Sequence, residues 1–494
     1  MRQLLPVLLK DGYKVGHPFQ YEADTTRVYS NWTPRATRVP GADGVVCFGV
    51  QYFALEYLRR QFEEAFFARP KDEVLRAYRR RIDHYLGQVS VDHVAQLHEL
   101  RYLPLHVKAL PEGTVCPMRV PLLTICNTVD QFFWLTNMVE TLMSNVLWLP
   151  ITSATTALQF RRRFEAWARA TGSDRAFVKW QGHDFSFRGM AGVEAACLSG
   201  AAHLLSFTGT DTIPAIDFLE EYYYADCERE LVGGSVPATE HSVMSMGRRE
   251  SERATILRLV TEVYPSGVVS VVSDTWDLWE VLLGILPAIR GAVMARDGKV
   301  VIRPDSGDPV KIVCGDPAAS NEAVRRGAVG CLWDVFGGTV NAAGYRVLDP
   351  HVGLIYGDGI SPARQEAILA GLAANGFASS NVVLGLGSYT YQYVTRDTYG
   401  QAVKATYGET RSRGGQAIYK DPVTDDGTKR SATGLLRVDR VDGRLVVRED
   451  VTWAEEQGGE LQTVFLDGGV SVQTLAEIRA RVEASLSDAE GAVA

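Results

Sequence analysis

Six times between Phe177 and Ser388, a short apolar run ends in a small or charged cluster and a helical stretch follows. The runs are Phe177–Trp180, His203–Phe207, Val268–Val272, Lys299–Ile302, Leu354–Tyr356 and Val382–Leu384. Each is rich in residues that favour strands, and the spacing between them suits one helix apiece. The clearest helix is announced by Ser361 as N-cap and Pro362 at its first position, and closed by Gly376. Strands alternating with helices predict parallel βαβ units, and six repeats over roughly 220 residues predict an α/β barrel rather than an open sheet.

The flanks have a different rhythm. Val45 to Leu58 reads as a strand leading into a helix, Arg101 to Gly113 as a half-exposed strand ending in a turn, and Asp130 to Leu149 as a buried helix. Beyond residue 395, Arg437 to Arg448 predicts a hairpin turning at Asp442-Gly443, and Thr463 to Val472 another turning at Asp467-Gly468-Gly469. Thr474-Leu475-Ala476-Glu477 is a capping box opening a last helix, with fraying expected from Ser487 to Ala494. The expected organisation is a barrel over 151–394 and a mixed α+β domain built from 1–150 plus 395–494.

Composition narrows the function. A formal net charge of −8 argues against a nucleic-acid partner, although a local basic pocket for a small anion remains open. The seven cysteines lack any CxxC spacing and read as reduced core residues of a cytoplasmic protein. No apolar stretch long enough to span a membrane is present, and the N-terminal apolar run is too short for a signal peptide.

In a parallel α/β layout the loops after the strands share one face, which holds the site. Those loops supply His183, Asp184, Phe185, Arg188, Asp211, Asp274, Arg303, Asp305, Asp358 and a Gly387-Ser388 turn. A single strand-end aspartate is as readily a helix N-cap, but the arginines cannot be. The set suits a phosphorylated sugar: Arg188 and Arg303 can fork onto phosphate, and Asp305 and Asp358 can accept ribose hydroxyls or hold Mg²⁺. Gly387-Ser388 offers backbone N–H groups to a terminal phosphate, and Phe185 a flat face to an aromatic base. His241, after Gly234-Ser235-Val236-Pro237 and beside Glu240, reads as a site-loop histidine. Arg396, Lys404, Lys420 and Lys429 are a concentration of positive charge in an acidic chain. No GxxxxGK[ST], dinucleotide fingerprint or HExxH occurs.

Several of these segments together resemble the nicotinate/nicotinamide phosphoribosyltransferase superfamily. They are Asp11-Gly12-Tyr13-Lys14-Val15-Gly16-His17, Gly182-His183-Asp184-Phe185-Ser186-Phe187-Arg188-Gly189, Phe207-Thr208-Gly209-Thr210-Asp211-Thr212, Ser235 to His241, Ser270 to Asp274, Ile302 to Gly307, Gly357-Asp358-Gly359, Thr395-Arg396-Asp397 and Lys420-Asp421-Pro422. The resemblance implies an irregular, type II phosphoribosyltransferase-like barrel and a homodimer with shared active sites. It implies transfer from 5-phosphoribosyl 1-pyrophosphate to nicotinamide, giving nicotinamide mononucleotide and pyrophosphate in NAD salvage, with Mg²⁺ as cofactor and ATP as co-substrate. It further implies that Phe185 and the partner's Tyr13 sandwich the pyridine ring, and that Asp211, aided by Arg303 and Ser270, faces the carboxamide. Arg188 and Arg303 line the site; Asp274, Asp305 and Asp358 serve ribose, Mg²⁺ and pyrophosphate, with Asp274 and Asp305 the metal ligands. Gly387, Ser388 and the partner's Arg396 and Lys404 take the 5′-phosphate. His241 is phosphorylated in an ATP cycle, with Lys420 and Lys429 near the anions. His241, Asp305 and Arg303 are the catalytic candidates. Thr239 departs from the pattern, standing where a small alanine is usual. Two alternatives are a nicotinate enzyme of the same superfamily and a non-catalytic signalling protein on the same scaffold.

Overall fold

A computed structural model describes residues 4–357, 359–419 and 431–491. The chain forms two compact units, one of Met1–Thr155, Phe218–Ala225 and Val394–Ala494, the other of Thr156–Asp217 and Asp226–Tyr393. Asp358, Lys420 and Lys429 lie outside the described residues.

The second unit is built on a parallel sheet. Its strands are β1 (Gly182–Asp184), β2 (Gly209–Thr210), β3 (Ser266–Val272), β4 (Asp297–Arg303), β5 (Val352–Tyr356) and β6 (Val382–Leu386). In space they run β2-β1-β6-β5-β4-β3, every neighbouring pair parallel. The two edges are joined by the extended segment 234–239. Gly234 bridges Gly209 of β2, and Ala238 bridges Ser270 of β3. Four backbone hydrogen bonds make the seam: Thr210 N to Gly234 O (2.9 Å), Gly234 N to Thr208 O (2.8 Å), Thr239 N to Ser270 O (3.0 Å) and Ser270 N to Pro237 O (2.8 Å). The result is the irregular α/β barrel the alternation predicted, with one stave too irregular to show as an apolar run. The Thr239 hydroxyl also accepts from Val272 N at 2.9 Å, so this departure from the family pattern adds a hydrogen bond to the seam.

Four of the six predicted runs coincide with strands, and two are displaced. Val178–Gln181 is a helical turn, and β1 is the Gly182-His183-Asp184 cluster itself. His203 ends the helix Val193–His203, and β2 is only Gly209–Thr210. Short apolar runs do not distinguish a buried helix end from a buried strand, and the ladder here needs only two or three residues. The Ser361 helix forms over Pro362–Ala374, with the Ser361 side chain accepting from Arg364 N.

In the first unit a seven-stranded antiparallel sheet runs Gly414–Ala417, Gln401–Thr410, Thr25–Pro34, Leu123–Asn127, Leu105–Ala109, Gln462–Leu466, Gly469–Val470. Both predicted hairpin turns form, with positive φ at Asp442, Gly443, Asp467 and Gly468. Leu105–Ala109 is buried on nearly every residue rather than half-exposed, because it is an interior strand and its Lys108 is neutralised by buried Glu456. The predicted Asp130–Leu149 helix instead spans Leu135–Ala170 and runs through Pro150. An interior proline costs about 3 kcal/mol. Buried Leu147, Leu149, Ile151 and Ala154 on either side of it offset that cost. The last helix is continuous over Leu475–Gly491, past the point where fraying was expected.

Candidate active site

The strand ends of the barrel open onto a cavity of ≈ 1270 Å³. Phe185, Arg188, Asp211, His241, Arg303, Asp305, Gly387 and Ser388 all line it, so eight of the predicted residues converge. A second cavity of ≈ 440 Å³ reaches into the barrel, sharing Phe185, Asp211 and Arg303 and adding Ser270. Its far end is lined by Val268, Lys299 and Val352.

At the base end, β2 leads directly into Asp211. The Asp211 Oδ1 atom accepts from the Ser235 hydroxyl at 2.6 Å and lies 2.9 Å from His183 Nε2. Burial raises the carboxyl's pKa, but these two partners and the positive Arg303 outweigh it and hold Asp211 below the usual carboxylate value. Asp211 is therefore an ionised acceptor at neutral pH. The His183 ring leans on Phe185, centroids 4.7 Å apart. The Ser270 hydroxyl oxygen and the Arg303 Nε are both buried with no hydrogen-bond partner. Buried polar groups of this kind are normally satisfied, and these two border the cavity where a polar ligand would satisfy them.

At the other end, His241 opens the short helix His241–Met246. Its Nε2 lies 3.2 Å from Asp305 Oδ1 and 3.8 Å from Asp274 Oδ1, and its Nδ1 3.0 Å from the Thr275 hydroxyl. Carboxylates only accept, so Nε2 carries a proton, and in the neutral ring Nδ1 is then the nitrogen with the lone pair. The neighbouring Glu240 instead takes the Ser242 hydroxyl and does not orient the ring. Asp274 Oδ2 accepts from Asp305 N (2.9 Å), Ser306 N (2.9 Å) and the Ser306 hydroxyl (2.6 Å), while its Oδ1 is buried with no partner. Candidate ligand atoms of His241, Asp274 and Asp305 lie within 4.8 Å of one another. The two carboxylates, one with an oxygen that makes no hydrogen bond, suit a hard cation such as Mg²⁺.

Asp184 is structural: it is fully buried, and its carboxylate accepts from Ser186 N and the Thr210 hydroxyl. Tyr13, Arg396 and Lys404 belong to the first unit. Tyr13 is 65% exposed, Arg396 begins a short 3₁₀ turn beside Asp397 at 3.8 Å, and Lys404 pairs with Asn31 across the sheet. Sequence reasoning missed Thr275, whose one available signal is its place directly after Asp274.

A profile of the nicotinate phosphoribosyltransferase (NAPRTase) family matches residues 180–466. The chain belongs to this family. A nicotinamide phosphoribosyltransferase of Acinetobacter baylyi is 50% identical, covering 97% of each chain. One of Xanthomonas campestris is 33% identical over 97% of this chain and 98% of its own. Among solved structures, a nicotinate-nucleotide pyrophosphorylase from Pyrococcus furiosus superposes with a TM-score of 0.57 at 13% identity, covering 97% of this chain and 94% of that one. Human nicotinic acid phosphoribosyltransferase gives 0.52 at 15% identity with the same coverage, and both likenesses bear on the fold. The NAPRTase profile spans most of the barrel, the whole lining of the larger cavity and that of the smaller one except Phe177.

Proposed function

We propose that this phosphoribosyltransferase takes nicotinamide as its base and phosphoribosyl pyrophosphate as its donor, forming nicotinamide mononucleotide and pyrophosphate. The observation that carries this reading is Asp211, an ionised acceptor beside Phe185. A carboxylate there accepts from the amide NH₂ of nicotinamide and repels the carboxylate of nicotinate. The relatives' name supports the same choice.

The bond from C1′ to pyrophosphate breaks with its electron pair leaving on oxygen, as the ring nitrogen of nicotinamide bonds to C1′. The protein's work is to hold the two partners in line and balance the departing charge; positioning of this kind supplies about 7–11 kcal/mol at best. Phe185 holds the pyridine ring, Arg303 spans both cavities, and Arg188 meets phosphate oxygens. Gly387 and Ser388 take the 5′-phosphate, joined by the partner's Arg396 and Lys404. Asp274 and Asp305 would hold Mg²⁺, which supplies electrostatic stabilisation of pyrophosphate when bound.

ATP coupling runs through His241 in this reading. The Nδ1 lone pair bonds to the γ-phosphorus of ATP as the bond to ADP breaks, while Asp305 keeps the proton on Nε2. Assays of nicotinamide and nicotinate, each with and without ATP, test the reading. Nicotinamide mononucleotide should form, faster with ATP, and preferential use of nicotinate would overturn it. The shared homodimeric site has its own test. Hybrids of Tyr13→Ala and Arg303→Ala chains should recover activity that neither variant shows alone, and hybrids that assemble yet stay inactive refute it.

A further inference from the structure

The helix Val193–His203, whose first residue lines the larger cavity, ends in a histidine that the reaction does not use. His203 is fully buried, and its ring meets one group on each side. Its Nε2 lies 3.0 Å from Gly209 O, and its Nδ1 lies 2.7 Å from the Tyr391 hydroxyl. A carbonyl only accepts, so Nε2 holds the hydrogen. Burial drives the ring's pKa down to about 4, so it is neutral, and Nδ1 accepts from the Tyr391 hydroxyl. Both protons are thereby assigned, and the pair has a single satisfied arrangement. Phe207 stacks on the ring at 5.0 Å, and Tyr391 meets it edge-on at 5.9 Å, which fixes its plane.

The two groups joined by this ring belong to opposite ends of the site. Gly209 opens β2, and Asp211 is the first residue after that strand. Tyr391 closes the helical turn Ser388–Tyr391, whose N-cap is Gly387. Other side-chain bonds hold the turn and its C-cap: the Thr390 hydroxyl donates to Ile360 O at 2.6 Å, and the Gln392 side-chain oxygen accepts from Ala191 N at 2.9 Å. Thr390 N and Tyr391 N both donate to Gly387 O, so a shift of Tyr391 moves Gly387 with it.

We propose that His203 and Tyr391 are positioning residues that hold the Gly387-Ser388 turn in register with the Asp211 strand end. The backbone bonds Phe185 N to Leu386 O (3.0 Å) and Asp211 N to Asp184 O (2.9 Å) join the strand ends, and the imidazole adds the side-chain link that fixes the turn beyond them. The inference rests on the transfer reaction proposed above, because it takes Gly387-Ser388 as the phosphate end and Asp211 as the base end.

Tyr391→Phe keeps the buried ring and removes only the hydroxyl. It should weaken phosphoribosyl pyrophosphate binding by roughly fivefold, the size of one hydrogen bond, while the KM for nicotinamide changes by less than about twofold. His203→Phe, which also loses Gly209 O, should raise both constants. His203→Gln, with a donor and an acceptor at similar reach, should recover part of both. Calorimetric titration of phosphoribosyl pyrophosphate reads the phosphate end without turnover, and thermal unfolding reads stability separately. Lower unfolding temperatures with unchanged binding and kinetic constants would make the pair merely structural and overturn the proposal. Wild-type protein that binds phosphoribosyl pyrophosphate but does not turn over nicotinamide would refute the proposed reaction, while the Tyr391→Phe titration still decides the role of the link. Wild-type protein that fails to bind phosphoribosyl pyrophosphate would overturn both.

Discussion

His241 Nε2 and Asp305 Oδ1 stand 3.2 Å apart, with the Thr275 hydroxyl 3.0 Å from the opposite ring nitrogen. The carboxylate fixes the tautomer that leaves Nδ1 nucleophilic. His241→Ala should abolish ATP hydrolysis and ATP stimulation yet leave slow ATP-independent transfer in a folded protein. Thr275→Val should keep phosphorylation and lower its rate, since the hydroxyl orients the ring without bonding to phosphate. Acid-labile ³²P incorporation from labelled ATP reads both; label retained in His241→Ala would refute the phosphoryl-acceptor role.

Base choice gives the second prediction. Asp211 sits below the usual carboxylate pKa, so its charge is present at neutral pH and lost only on acidification through that depressed value. The preference for nicotinamide over nicotinate should therefore stay flat from about pH 8 to about pH 5. Asp211→Asn removes the charge and should narrow the kcat/KM ratio by at least about tenfold, or 1.4 kcal/mol. An unchanged ratio would mean another group selects the base.

The legible parts of this site were the strand ends. Asp211, Arg303, Asp305 and His241 lie where a parallel barrel exposes its loops, and charged residues there have few other uses. The seam stave at 234–239 was illegible because four backbone hydrogen bonds define it without an apolar run. β2 was misplaced because its strand is only Gly209–Thr210, and the apolar His203–Phe207 beside it serves the helix end and the core. Val268, Lys299 and Val352 line the inner cavity from within strands, where alternation alone does not separate a cavity wall from packed core. Tyr13, Arg396 and Lys404 were expected at the site only through the family resemblance, because none of them lies at a strand end of the barrel.

Stability should carry an unusual pH term from Glu112. This carboxyl is fully buried, which pushes its pKa up to about 7 against the pull of N–H groups such as Gln51 N at 2.7 Å. The folded protein keeps that proton up to about pH 7, and the unfolded chain only to the ordinary glutamate value. Its contribution is thus present in acid and lost as pH rises through 7, about 3 kcal/mol in full. Buried His93 and His203, both lowered to about 4, act the other way: their contribution is present above the ordinary histidine value and lost as pH falls through 4. Glu112→Gln removes only the first term. Between pH 7 and pH 5 the variant should lose stability more steeply than the parent, read as the unfolding midpoint in urea against pH. Parallel curves would place the Glu112 carboxyl at an ordinary pKa.

The last prediction concerns a glycine. Gly385 lies in β6 behind the Phe185 ring, and Phe185 N donates to Leu386 O at 3.0 Å beside it. A Cβ on Gly385 would overlap the Phe185 ring edge and lie 2.9 Å from the Gly357 Cα. One obstacle is a ring packed into the site and the other is backbone, so neither gives way cheaply. The ring is the softer of the two and would be pushed toward the cavity that the proposed reaction gives to the base. Gly385→Ala should therefore raise the KM for nicotinamide by about fivefold or more, with a smaller effect on phosphoribosyl pyrophosphate. Adding Phe185→Leu, a smaller and more adaptable side chain, should relieve the overlap, so that Gly385→Ala costs less stability in that background than alone. A double-mutant cycle of unfolding free energies measures this coupling. Additive effects would show that Gly385 is required by the barrel's backbone packing rather than by the position of Phe185.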